Sequence, residues 1–153
     1  MKGIWKIVVC FAVVASVIGA AYAQFARTDD AIKYRQAVMF LIGQHVGRMA
    51  AVVKGKQPHN REDFVQNAVL VETLSRLPWD AFLVAGSDKG DTKMRSEVLE
   101  NQDKFKQAAQ NMEIEVAKLD SAARSGDFNV IQVQFGAVGK SCKECHEVPL
   151  TPL

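Results

Sequence analysis

The chain has 153 residues, a length that fits one domain, and its 19 Lys and Arg against 17 Asp and Glu give a net charge of +2. Its 48% hydrophobic content is that of a globular protein. The near-neutral charge excludes a nucleic-acid binder driven by bulk positive charge. Three cysteines are too few for a disulfide-rich scaffold.

The first 23 residues have the pattern of a secretory signal peptide. Lys2 and Lys6 flank the start of an uncharged apolar run over 7–18, and Ala21-Tyr22-Ala23 is a small-x-small cleavage site. A retained membrane anchor is the alternative, but the run falls short of the ~20 apolar residues that span a bilayer. We therefore expect a mature chain that begins at Gln24, is exported to the periplasm and is not attached to the membrane.

The first predicted helix runs from Thr28, as its N-cap residue, to about Val53. Its apolar stripe consists of Val38, Leu41, His45, Met49 and Val52. The stretch over 37–42 is apolar on all sides, which is more than one core-facing stripe requires. This helix therefore predicts a further contact, with a partner subunit, an apolar cofactor, or both.

Three further helices follow. The second starts near Asn60 and ends before Pro78, and a polar loop occupies about 83–94. The third ends at Gly126, a typical C-terminal stop, and Asp127 caps the fourth. Their stripes are Phe64, Ala68, Val71 and Leu74; Val98, Phe105, Met112 and Leu119; and Ile131, Phe135, Val138 and Cys142. The pattern predicts an all-α fold, an antiparallel four-helix bundle.

The fourth helix carries the sequence Cys142-Lys143-Glu144-Cys145-His146. This is C-x-x-C-H, the signature of covalent c-type haem attachment, in which two thiols form thioethers and the imidazole binds iron. The three side chains occupy positions i, i+3 and i+4 of a helix and so share one face, which continues the apolar stripe. We expect one covalent haem c per chain, bound in the bundle core with His146 as its axial iron ligand.

Other uses of this cysteine pair fit less well. A thioredoxin-like redox pair needs the N-terminus of a helix, whereas this pair lies near a C-terminus, where the helix dipole disfavours a thiolate. A zinc site would need His45 or His59 as a fourth ligand beside the two cysteines and His146. A disulfide that closes four residues would restrict the unfolded chain very little.

With its haem motif on the last helix, the chain resembles the cytochrome c′ family, the class II c-type cytochromes. The matching segments cover essentially all of the mature sequence: 24–27, 30–36, 45–49, 53–55, 77–82 and 135–142. One departure follows the motif. The family has a basic residue four positions after the histidine, and Leu150 stands there in this chain.

The resemblance implies a role for each residue of the haem site. His146 would be the only protein ligand of the iron, and Met39 would face the open sixth position. Arg35 and Gln36 would donate hydrogen bonds to a haem propionate, and Asp91 would make a weaker propionate contact. Trp79 and Phe82 would lie beside the haem.

The resemblance also implies a function. The open, apolar sixth position would admit small neutral gases, nitric oxide and carbon monoxide. The alternative is a low-spin electron carrier with Met39 as sixth ligand. An enzyme such as a peroxidase is not expected, because Met39 stands where a distal His/Arg pair would be needed. The family forms homodimers through the first two helices, and a redox partner protein fits either function.

Overall fold

The computed structural model describes residues 25–147, with the side chains of 25–146. The expected signal peptide over 1–23, the expected new N-terminus Gln24 and the departure at Leu150 lie outside the described residues. Within the described part of the chain there are four long helices and two single-turn helices. They are α1 (Thr28–Val53), α2 (Arg61–Ser75), α3 (Trp79–Phe82), α4 (Glu97–Glu100), α5 (Gln102–Ser125) and α6 (Phe128–Glu147).

The four long helices form the antiparallel bundle that the sequence predicts. Helix α1 packs on α2, α2 on α5, and α5 on α6, while α1 meets α6 over a smaller area. Short turns join α1 to α2 and α5 to α6, so that each pair is antiparallel. The core is made of buried side chains from all four helices: Val38, Ile42, Met49, Phe64, Ala68, Val71, Met112, Val116, Leu119, Ala122, Ala123, Ile131 and Val138.

Three of the predicted helix ends are confirmed by their hydrogen bonds or backbone angles. The side chain of Asn60 accepts from the backbone N–H of Asp63 at the start of α2. The Asp127 carboxylate accepts from the N–H groups at the start of α6, at 2.9 Å from that of Asn129. Gly126 ends α5 with φ of 78°, a left-handed conformation that glycine adopts without strain.

The expected N-cap at Thr28 is wrong. Arg27 is the N-cap residue of α1, and no side chain caps this end; the first turn is closed by the Arg27 carbonyl, which accepts from the N–H of Asp30 at 3.1 Å. The expected core position of Leu41 is also wrong, because its side chain is 42% exposed. The buried face of α1 instead follows Val38 with Ile42.

The third predicted helix is broken. Val98 lies in the single-turn α4, and Asn101, with φ of −122° and ψ of 51°, separates this turn from α5. Asn101 side-chain Nδ2 donates to the Glu97 carbonyl at 3.3 Å, which is the kind of local side-chain bond that competes with helix continuation. The break bends the chain so that α4 faces the cavity described next.

Candidate haem site

A cavity of 610 Å³ opens at one end of the bundle, between α1, α3, the loop over 83–96, α4, α5 and α6. Its volume lies within the range of about 300–1,000 Å³ that is usual for cofactor pockets. The structure brings together, at this one cavity, eight of the nine side chains expected around the haem: Arg35, Gln36, Met39, Trp79, Phe82, Asp91, Cys145 and His146. The ninth, Cys142, is half-buried against the bundle core one turn before Cys145.

The three side chains of the haem motif lie in the last turns of α6. Both cysteines are free thiols and half-buried, while His146 lines the cavity and is exposed to its opening. Burial raises the pKa of both thiols, and the neighbouring Cys142 raises that of Cys145 further. The neutral thiol is therefore favoured, which is the opposite of an activated redox pair.

The zinc alternative finds no support in the described part of the chain, where no three His, Cys, Asp or Glu side chains are grouped closely enough to hold a metal ion. His45 is half-buried on α1, and its Nδ1 lies 2.8 Å from Asn67 Oδ1, so that it connects α1 to α2. His59 is exposed and packs against the Phe128 ring at 4.7 Å between centroids. Neither histidine lines the haem cavity.

Arg35 is the most buried charged side chain at the cavity, at 2% exposure. Its Nη1 donates to the Ala81 carbonyl at 3.0 Å and to Ser87 Oγ at 2.8 Å. Its Nη2 donates to the Ser87 carbonyl at 2.5 Å and to Thr92 Oγ1 at 2.8 Å. Burial lowers the pKa of Arg35, an effect that the charge of Asp88 partly offsets. A buried cation whose four acceptors are neutral makes this wall of the cavity favourable for an anion.

Gln36 and Asp91 connect α1 to the same loop. Gln36 Nε2 donates to the backbone carbonyl of Asp91 at 2.8 Å, and the Asp91 side chain is exposed. The structure therefore uses the carbonyl of Asp91 for this connection. Both residues line the cavity, as the resemblance implies.

Three aromatic rings form an apolar wall. Phe105 packs edge-on against Trp79 at 5.9 Å between centroids, and its ring is tilted against that of Phe82 at 5.2 Å. The guanidinium of Arg35 lies 5.0 Å above the Phe82 ring. Trp79 Nε1 donates to Glu113 Oε1 on α5 at 2.5 Å, and this fixes the indole. Sequence reasoning missed Glu113, because its partner lies 34 residues away and no spacing signal joins them.

The residues present fit a covalently bound haem. Two thiols and an imidazole share one face of α6, aromatic and thioether side chains supply an apolar lining, and a buried guanidinium provides the positive charge that a propionate requires. These are the donor types that haem needs, collected at one cavity of sufficient size.

Comparison with known proteins agrees with this geometry. A family model described as Cytochrome C′ matches residues 30–148. The cytochrome c′ of Alcaligenes xylosoxydans xylosoxydans is 42% identical over 124 residues, which cover 81% of this chain and 95% of the relative. That of Rubrivivax gelatinosus is also 42% identical, over 81% of this chain and 96% of the relative.

Solved structures give the same result. Cytochrome c′ from Shewanella frigidimarina superposes with a TM-score of 0.79 at 40% identity, over 82% of this chain and 97% of that one. A nitric oxide complex of a variant of cytochrome c′ from Alcaligenes xylosoxidans superposes with a TM-score of 0.75 at 41% identity, over 82% of this chain and 97% of that one. From the haem motif, the bundle and these similarities together, the chain belongs to the cytochrome c′ family.

Proposed function

We propose that this chain binds nitric oxide and carbon monoxide at a haem whose iron has one protein ligand. Members of the family carry covalent haem c and are haem proteins, not enzymes. When bound, haem supplies an iron that can take a small neutral gas at its sixth position. The observation that carries the proposal is the similarity, at 41% identity over most of both chains, to a protein solved as its nitric oxide complex.

In this proposal α6 holds the cofactor. Cys142 and Cys145 form the two thioether links, and His146 is the axial ligand. Their spacing of i, i+3 and i+4 lets one rigid helix face supply all three bonds. The half-buried positions of the thiols would place the ring against the bundle core, away from bulk water.

The wall that α1 forms, opposite α6, selects the ligand of the iron in this proposal. Arg35 donates its four Nη hydrogens to protein acceptors, so its Nε–H and its charge are what remain for a propionate, together with Gln36. Met39 is half-buried and packs against the core, where it would block the iron without bonding it. Around Met39 the lining is apolar, with Trp79, Phe82 and Phe105, and an apolar surrounding favours neutral ligands over anions.

The same proposal places the protein in the periplasm as a homodimer. The N-terminal apolar stretch fits a signal peptide, which we propose is removed before Gln24. The dimer would form through α1 and α2, which expose Phe40 (64%), Leu41 (42%) and Leu70 (43%). By length and composition alone α1 could cross a membrane, but it carries the buried Arg35 to the haem cavity. Contact with a second copy of the chain therefore explains its exposed apolar side better than a membrane does.

The test uses the purified protein expressed with haem maturation. We expect its mass to exceed that of the polypeptide by one haem, and the Soret band of the reduced protein to shift under carbon monoxide and under nitric oxide. A double variant with Cys142→Ala and Cys145→Ala is the control and should contain no covalent haem. A reduced holoprotein whose Soret band is unchanged by either gas would refute gas binding.

A further inference from the structure

A second methionine lines the haem cavity. Met94 lies in the loop over 83–96 and is half-buried at the cavity wall. Two hydroxyl groups hold it. Ser87 Oγ donates to Met94 Sδ at 3.8 Å, and the backbone N–H of Met94 donates to Thr92 Oγ1 at 3.1 Å. Side chain and backbone are thus both fixed, although the residue lies in a loop.

Arg35 holds both of these hydroxyl groups. Its Nη1 donates to Ser87 Oγ and its Nη2 to Thr92 Oγ1, each at 2.8 Å. Ser87 is fully buried at 0% exposure, so its hydroxyl hydrogen needs an acceptor inside the protein. The Met94 thioether, a weak acceptor, takes this hydrogen bond. A chain of hydrogen bonds thus links Met94 to Arg35 on α1.

We propose that Met94 is the loop-side wall of the haem cavity and limits the size of the ligand that reaches the iron, and that Arg35 positions it through Ser87 and Thr92. Arg35 and Met39 lie one helical turn apart on α1. The anchored loop therefore lies beside the helix that carries Met39, whereas His146 comes from α6. The inference rests on the proposed gas binding and adds a size-selecting residue to it.

The first experiment measures ligand size selection in the reduced holoprotein. Association rates of carbon monoxide and of the bulkier n-butyl isocyanide are compared in the parent, in Met94→Ala and in Met94→Leu. We expect Met94→Ala to raise the isocyanide rate relative to the carbon monoxide rate by about tenfold, and Met94→Leu, of similar volume, to stay within about twofold of the parent. Lys89→Ala is the matched control, an exposed loop residue that does not line the cavity.

The results distinguish a failure of the proposed role of Met94 from a failure of the proposed gas binding. If the parent binds both ligands and Met94→Ala keeps the parental ratio, the wall is refuted and gas binding stands. If the parent binds neither ligand, the proposed function is refuted, and the size-selecting role of Met94 is refuted with it.

The second experiment tests the positioning without any ligand. Trypsin cleavage after Lys93, next to Met94, reports opening of the loop in the holoprotein. Thr92→Val removes the hydroxyl that accepts from Arg35 Nη2 and from the Met94 N–H, and it should speed this cleavage about thirtyfold, the factor expected for two lost hydrogen bonds, while Thr92→Ser keeps the hydroxyl and the parental rate. Cleavage after Lys56, in the turn between α1 and α2, is the internal control. Equal rates at Lys93 in the two variants would refute the positioning by hydroxyl groups.

Discussion

At the scale of single residues, Met39 decides between the two functions that the sequence allows. It lines the haem cavity and packs against the core cluster from α1. In the gas-binding proposal it only occupies space, whereas in the electron-carrier alternative its sulfur is the sixth iron ligand. We expect Met39→Ala to leave the spin state of the ferric protein unchanged and to raise the carbon monoxide association rate about tenfold, equivalent to about 1.4 kcal/mol of barrier.

Absorption and electron paramagnetic resonance spectra of the oxidised protein provide the measurement for Met39. Met39→Leu is the control, since it keeps the volume without the sulfur. Conversion from low spin to high spin in both variants would show that the sulfur ligates iron, and would favour the electron carrier.

At the scale of secondary-structure elements, two helix starts offer a direct comparison. Asn60 caps α2 through its side chain, whereas the side chain of Thr28, which the sequence suggested as a cap, makes no cap bond at the start of α1. We expect Asn60→Ala to lower the free energy of unfolding of the holoprotein by about 1 kcal/mol. Thr28→Ala should change it by less than about 0.5 kcal/mol. Urea unfolding followed by circular dichroism measures both, and equal losses would contradict the assigned caps.

The contact between α5 and α6 predicts a pH dependence. Lys118 Nζ donates to Glu115 Oε1, and Gln134 Nε2 of α6 donates to Glu115 Oε2, each at 2.7 Å. Both bonds lower the pKa of Glu115, that of Lys118 more strongly. Because the folded pKa lies below the unfolded one, the stabilisation is present above the unfolded pKa of about 4.3 and is lost as pH falls through the folded pKa.

Gln134→Ala should therefore raise the pKa of Glu115 and reduce the stability lost between neutral and acidic pH. Nuclear magnetic resonance titration of the Glu115 carboxyl carbon measures the shift. Gln132→Ala is the matched control, because Gln132 lies on the same helix but donates to the Val53 carbonyl. A Glu115 pKa that is the same in both variants would contradict this role of Gln134.

Local signals in the sequence account for the elements that were predicted correctly. Asn60, Gly126 and Asp127 act within a few residues of themselves, so the ends of α2, α5 and α6 can be read from their neighbours. The haem motif is equally local. The contacts of Arg35 with α3 and the loop are different, because two of its acceptors are backbone carbonyls 46 and 52 residues away. A backbone carbonyl has no sequence signature, and so only the folded chain reveals that Arg35 organises this loop.

At the scale of the whole molecule, the exposed apolar side of α1 predicts the oligomeric state. In a two-fold symmetric dimer a single substitution appears on both subunits, so Phe40→Glu would place two charges in the proposed interface. We expect this variant to sediment as a monomer and the parent as a dimer. Val133→Glu, at an exposed apolar position on α6 (76%), is the control and should remain a dimer. A parent that sediments as a monomer would refute the interface.

The order of the helices along the chain has a consequence for biogenesis. The three side chains of the haem motif lie on α6, the last helix along the chain, after α1, α2 and α5. The earlier elements of the chain supply the opposite walls of the cavity. Once α6 docks, both cysteines are half covered and their thiols are harder to ionise. We therefore expect the proposed haem attachment to take place before α6 docks, while both thiols are open to solvent.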